Sequence, residues 1–170
     1  LQAWTTDKLI LFATNGRFFT LEAGQLPGGR GHGEPVRLMV DLEENHDFLE
    51  IFVHEPGRKL LVASTGGYGF IGKSEELLTR VKAGKAFMTV EPGDEVIRPA
   101  PVPEKPELAA AFSEKGRMLL FPAAELKELA RGRGKTAGLG NRLQQGQGIR
   151  REHLSGALHG RGGFFCLQIS

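Results

Sequence analysis

Four short phrases built on glycine recur along this 170-residue chain at nearly even steps: Asn15-Gly16-Arg17-Phe18, Gly66-Gly67-Tyr68-Gly69, Lys115-Gly116-Arg117-Met118 and Arg161-Gly162-Gly163-Phe164. The anchoring glycines Gly16, Gly67, Gly116 and Gly162 stand 51, 49 and 46 residues apart, a period in the range of propeller-type blades. Each phrase adjoins short apolar runs and reads as the turn of a β-hairpin, where glycine supplies the positive φ of a tight primed turn. Units of this kind bury a core only by stacking on one another, so the period predicts an all-β repeat protein.

The flanking runs agree. Leu9-Ile10-Leu11-Phe12, Leu60-Leu61-Val62-Ala63 and Leu108-Ala109-Ala110-Ala111-Phe112 precede the turns; Phe18-Phe19-Thr20-Leu21, Gly69-Phe70-Ile71, Met118-Leu119-Leu120-Phe121 and Phe164-Phe165-Cys166-Leu167 follow them. Short runs rich in branched and aromatic residues, closed by turn signals, predict strands buried on one or both faces. The 24 glycines and 9 prolines suit a turn-rich all-β domain, and the length is enough to bury a core as one domain. The expected organisation is about three blades and a fourth partial copy.

A second element trails the hairpins in register. Gly28-Gly29-Arg30-Gly31-His32-Gly33, Arg80-Val81-Lys82-Ala83-Gly84-Lys85 and Arg131-Gly132-Arg133-Gly134-Lys135 place Gly33, Gly84 and Gly134 at 17, 17 and 18 residues past the turn glycines. Alternating basic residues with glycine lets backbone approach a phosphate while side chains supply charge. Any one such loop could be a solvated turn; three in register point to a recurring basic rim. The net charge of +2 does not by itself argue for nucleic acid, but its distribution is uneven. Asp41, Glu43, Glu44, Asp47, Glu50 and Glu55 crowd one connector, Glu91, Asp94, Glu95, Glu104 and Glu107 the next, and basic residues gather in the loops and from Lys127 to Arg151. Loops and connectors would thus present opposite signs.

Other signals are thin. Cys166 is the single cysteine, which excludes an internal disulfide and suits a reducing compartment. His32, His46, His54, His153 and His159 have no zinc-type spacing and read as surface or loop residues. Tyr68, the sole tyrosine, lacks a general base nearby in sequence and reads as a hairpin side chain. No apolar run is long enough to cross a bilayer, and the expectation is a chain without a signal peptide. The start at Leu1 without methionine leads us to expect a piece of a longer polypeptide. The proline-rich stretch from Pro99 to Pro106 predicts a stiff connector between blades, and short helices are expected at 74–81, capped by Ser74, and at 123–130.

One rival motif is complete. Gly67-Tyr68-Gly69-Phe70-Ile71-Gly72-Lys73-Ser74 matches the phosphate-loop pattern, in which Lys73 would reach the β and γ phosphates and Ser74 would hold magnesium. Against it, Gly67 is the hairpin glycine of the repeat, and Phe70-Ile71 aligns with strand positions Phe19-Thr20 and Leu119-Leu120 of the other copies. No βαβ series follows, and the best metal-aspartate candidate, Asp41, lies upstream. The register predicts strand where the motif would need a cradle.

Three longer phrases carry a resemblance: residues 26–38 (Leu-Pro-Gly-Gly-Arg-Gly-His-Gly-Glu-Pro-Val-Arg-Leu), 56–64 (Pro-Gly-Arg-Lys-Leu-Leu-Val-Ala-Ser) and 121–134 (Phe-Pro-Ala-Ala-Glu-Leu-Lys-Glu-Leu-Ala-Arg-Gly-Arg-Gly). In this order they resemble the C-terminal domains of the gyrase A and ParC family, the ParC branch being the A subunit of bacterial topoisomerase IV. The match covers roughly residues 5 to 135; from Gly140-Asn141-Arg142-Leu143 onward the sequence departs from the pattern.

The resemblance implies a β-pinwheel: propeller-like, strand-exchanged four-stranded blades in an open or partial ring, with short helices and double-stranded DNA bound around a basic rim. It places the DNA-binding residues at Arg30, His32, Arg37, Arg80, Lys82, Lys85, Arg131, Arg133 and Lys135. It implies a non-catalytic, sequence-independent domain that positions or bends DNA for an ATP-dependent type IIA topoisomerase. The holoenzyme would be a heterotetramer with the B subunit of topoisomerase IV, and ATP and magnesium would be bound elsewhere, so this segment is expected to carry no catalytic residue, cofactor or metal. The gyrase-type Gln-Arg-Arg-Gly-Gly-Lys-Gly box is absent, which favours the topoisomerase IV branch and bending over strong wrapping. The implied setting is the bacterial cytoplasm, at the nucleoid, with room for peripheral membrane association of the holoenzyme. A protein-docking ring, with the acidic connectors as partner surface, is the alternative.

Overall fold

The computed structural model describes residues 2–28, 31–112, 118–131 and 163–167. The first turn phrase joins β1 (Lys8–Ala13) to β2 (Arg17–Glu22) in an antiparallel hairpin, with Phe12 opposite Phe18, and β3 (Phe48–Val53) returns along the other side of β1. The second unit repeats this plan: β4 (Lys59–Ser64) pairs with β5 (Gly69–Lys73), a single helical turn α1 (Ser74–Leu77) follows, and β7 (Val96–Val102) pairs with β4. In the third, β8 (Leu108–Phe112) pairs with β9 (Met118–Pro122) and with β10 (Gly163–Leu167). Both described turn glycines, Gly16 and Gly67, have the required positive φ, 74° and 81°.

The first sheet has a fourth strand from outside its own unit. β6 (Lys85–Ala86) lies between β5 and β7 in the chain yet pairs with β2, giving the order β3-β1-β2-β6. The same device recurs one sheet later, where Ile71 N donates to Lys127 O and Leu129 N to Ile71 O, both at 2.9 Å, in a parallel bridge. The first two sheets therefore borrow backbone from the connection of the next unit, by an antiparallel pairing in one and a parallel bridge in the other, which is the strand exchange expected of a pinwheel. Among the described residues the sheets form an all-β, propeller-like stack and none closes on itself.

Because the sheets stack, their central strands are apolar on both faces, and the runs are continuous rather than alternating. On β4, Leu60 and Val62 face the first sheet, joining Ile10, Phe12, Phe18, Phe70, Leu77 and Phe87, while Leu61 and Ala63 face the third with Ala100, Ala109, Ala111, Leu119 and Phe121. Phe87, fully buried next to β6, is the peg between the first two sheets: its ring meets Phe18 edge-on at 5.2 Å and Phe70 at 5.3 Å. Gly72 makes room for it, since a Cβ there would come within 2.5 Å of the Phe87 ring.

Two expectations are corrected, the helices and the proline-rich connector, while the residues around the fourth phrase lie outside the described ones except for its strand. The helices at 74–81 and 123–130 shrink to α1 and a 3-10 turn at Ala123–Glu125, with Leu78 and Leu126 already extended. The residues that follow must run along the preceding sheet, and one turn of helix cannot propagate against that pairing. Ser74 caps nothing; it is buried and its Oγ donates to Glu55 O at 2.7 Å. The prolines 99 and 101 lie within β7 rather than in a connector, on a strand that hydrogen-bonds only to β4, with a register shift opposite Leu61 to Ala63; an edge position and a bulge are where a strand tolerates proline. The fourth phrase opens no further hairpin among the described residues: its strand, β10, takes beside β8 the place that β3 and β7 take in the first two sheets.

Candidate nucleic-acid interface

The second basic loop is built on the exchanged strand. After α1 the chain turns back along β2, antiparallel to it. Thr79 N donates to Thr20 Oγ1 at 3.0 Å, Lys85 and Ala86 pair with Phe18 and Arg17, and Phe87 N and Met88 N both donate to Gly16 O. Residues 80–84 bulge out between these two anchorages. Their backbone is tied inward: Gly84 N donates to Val81 O at 2.9 Å, Asp41 N donates to Lys82 O at 2.9 Å, and the Arg17 guanidinium donates to Ala83 O at 2.9 Å and Gly84 O at 3.3 Å. Gly84 (φ 71°) permits the close fit, because a Cβ would sit 2.8 Å from both Phe18 O and the Phe19 ring. With the carbonyls engaged, Arg80, Val81 and Lys82 are left exposed at the surface.

This arrangement separates the predicted cations into two kinds. Among the described residues, Arg80 and Lys82 have no side-chain partner and face solvent. Lys85 is committed elsewhere: its Nζ donates to Glu76 O at 2.6 Å and pairs with the Glu76 carboxylate at 3.5 Å, fastening the exchanged strand to α1. Arg37 donates to the carbonyls of Glu43 (3.2 Å) and His46 and pairs with Asp47 at 2.9 Å. Asp47 in turn is held by Thr14, its N donating to Thr14 Oγ1 at 3.1 Å while Thr14 N donates to Asp47 O. Arg37 thus fixes the acidic connector against the first hairpin. His32 and Arg131 are exposed. Arg30, Arg133 and Lys135 lie outside the described residues.

Asp41, joined to Lys82, comes from the segment that follows the first basic loop, so the structure brings the connections of consecutive loops against each other. Arg17 was not among the sequence candidates, because its phrase reads as scaffold. The available signal was that Arg17 and Arg117 each directly follow a turn glycine.

Ion pairs also join neighbouring sheets. Arg98 on β7 meets Glu50 on β3 at 3.7 Å, and Lys59 on β4 pairs with Glu128 of the third unit's connection. The hydrogen bond from Lys59, aided by its charge and that of Lys73, holds the Glu128 carboxyl below the usual carboxylate range. Glu75 is likewise lowered, first by accepting from Gly57 N.

The phosphate-loop motif is not a loop. Gly69–Lys73 is strand β5 in full register with β4, and Ser74, the would-be magnesium ligand, is 1% exposed with its hydroxyl used on Glu55 O. A nucleotide-hydrolase reading is therefore overturned by strand pairing. Among the described residues no group of three His, Cys, Asp or Glu side chains could hold a metal, and no helix is long and apolar enough to cross a membrane.

Stacked, strand-exchanged sheets at a period near fifty residues, with the second cationic loop carried on an exchanged segment, define a propeller-like repeat domain. The model of the family described as "DNA gyrase C-terminal domain, beta-propeller" matches residues 7–53, 58–103 and 110–150, and the chain belongs to that family. The first matched segment ends with β3 and the second one residue after β7, so each covers the three strands of one unit, and the second also carries β6, lent to the first sheet. Similar proteins include the A subunit of DNA topoisomerase 4 from Caulobacter vibrioides, 42% identical over 132 residues, which are 78% of this chain and 17% of that protein. The Escherichia coli protein of the same name is 31% identical over 130 residues, 76% of this chain and 17% of that one. The structure of the E. coli ParC C-terminal domain superposes with a TM-score of 0.78 at 25% identity, covering 98% of this chain and 64% of that domain. The chain spans less than a fifth of the length of the curated relatives it matches.

Proposed function

We propose that the chain is a non-catalytic DNA-binding domain that bends or positions a double-stranded segment, without reading its bases, for a type IIA topoisomerase of the topoisomerase IV kind. Its partners are then DNA, the rest of its own polypeptide, and the B subunit of the enzyme, with ATP and magnesium acting outside this segment. Membership of the gyrase C-terminal family gives the context. The single observation that carries the reading is the second loop, whose backbone is tied down at both ends and along its carbonyls while Arg80 and Lys82 stand unpaired. Fixed cations that recur from blade to blade neutralise phosphates, release counterions, and favour DNA that follows their curve.

The test is a salt titration of DNA affinity with a bending assay on the same chain. If six loop side chains touch phosphates, raising salt from about 50 to 200 mM costs on the order of a thousandfold in affinity. A flat salt response refutes the reading. Retention of DNA handling in the full enzyme after loss of Arg80 and Lys82 would favour the protein-docking alternative.

A further inference from the structure

We infer that Arg17 is a positioning residue for DNA: from the first hairpin it sets the conformation of the basic loop that belongs to the second repeat. This rests on the DNA-binding reading above. Arg17 opens β2, directly after the turn glycine, and its guanidinium reaches across to Ala83 O (2.9 Å) and Gly84 O (3.3 Å), sixty-six and sixty-seven residues further along the chain. Those carbonyls close the bulge in which Arg80 and Lys82 are displayed. The remaining ties hold the ends of the segment, at Thr79 and at Lys85–Ala86, its middle, through Lys82 O, and two local turns, in which Val81 N donates to Thr79 Oγ1 and Gly84 N to Val81 O; none of them engages the Ala83 or Gly84 carbonyl. Without the guanidinium, two carbonyls lose a charged donor, and the last turn of the loop is free to rotate its peptide planes toward water.

The planar fork explains why arginine stands here. It can serve two adjacent carbonyls at once from a fixed plane, whereas a lysine ammonium is a point donor on a flexible stem. Both donations the structure shows, from Nε and Nη2, go to backbone, so the role assigned to the group is to shape the loop rather than to neutralise a phosphate itself. The separation between the Arg80 and Lys82 charges, and their direction relative to the neighbouring loops, is what a bent duplex senses. Loosening the loop would then weaken bending while leaving the number of neutralised phosphates unchanged.

The experiment is a double-variant cycle on the full chain, read by DNA affinity, salt slope and bend angle. R17A is expected to lose about three- to tenfold in affinity and part of the bend, with its salt slope retained. R17K, which keeps the charge but not the fork, is expected to match R17A. In an R80A/K82A background R17A is expected to add nothing, because the side chains it positions are gone. Thermal unfolding runs alongside; should R17A fail to fold, R17K with the same cycle decides the matter. Rescue by R17K, a slope reduced by about one phosphate, or full additivity with R80A/K82A overturns the inference. Loss of salt-dependent binding in the unsubstituted chain would instead refute the DNA-binding reading itself, so the two failures are distinguishable.

Discussion

Replacing both Arg80 and Lys82 with alanine gives the most direct test of how the interface works, because the structure divides the predicted cations by availability. Each phosphate neutralised contributes about 0.9 to the slope of log affinity against log salt. Two unpaired side chains in one loop therefore account for about 1.8 of that slope, or about a sixtyfold loss of affinity at 0.1 M salt, shrinking toward nothing as salt approaches 1 M. The paired cations behave differently. Lys85 and Arg37 already spend their donors on Glu76 and on Glu43, His46 and Asp47, so K85A and R37A should change stability more than slope. Fluorescence anisotropy of a short duplex at several salt concentrations measures all three variants. An unchanged slope in R80A/K82A, or an equal drop in K85A, would refute the division between displayed and committed cations.

Four further outcomes concern the sheets and the side chains that join them. F87A removes the peg between the first two sheets and should cost about 3–5 kcal/mol of unfolding free energy, measured by chemical denaturation. G72A should destabilise by about 1–3 kcal/mol through overpacking against the Phe87 ring; in an F87A background that penalty should shrink, since the ring it strikes is absent. K73A should leave thermal stability insensitive to added ATP and magnesium, as in the parent chain; an ATP-dependent shift lost on K73A would restore the phosphate-loop reading. Finally, the Glu128 carboxyl is lowered in the fold chiefly by Lys59, so its contribution is present above the ordinary carboxylate pKa and disappears as pH falls through the lower folded value. E128Q should therefore flatten the acid limb of stability, and an acid limb identical to that of the parent would remove Lys59–Glu128 from the account.

The hairpins were legible because their signal is local: a turn glycine flanked by apolar runs specifies φ and burial within about ten residues. The register also identified Phe70-Ile71 as strand, against a complete nucleotide-binding motif, and β5 agrees. What stayed hidden was whatever depends on a distant partner. Phe48 to Val53 reads from sequence as part of an acidic connector, and becomes β3 because β1 offers it an edge. Pro99 and Pro101 look like breakers until β4 supplies a pairing that asks little of their missing N–H groups. The same limit applies to the interface. Sequence collected the cations by type and spacing, but only the fold distinguishes Lys85, held in a pairing with Glu76, from Lys82, three residues earlier and unpaired.

Strand exchange connects these points. In a plain stack each loop would be shaped by its own hairpin, and the repeats would bind DNA as independent modules. Here the loop of the second repeat is moulded on β2 of the first, through Thr20, Arg17 and Gly16, and the connection of the third repeat is laid against Ile71 of the second. Stability and DNA geometry then share the same nearest-neighbour contacts, as expected where repeats contribute through their interfaces. A substitution in one hairpin should be felt in the DNA contacts of the next repeat before those of its own, a directional coupling that follows from which strand is lent to which sheet.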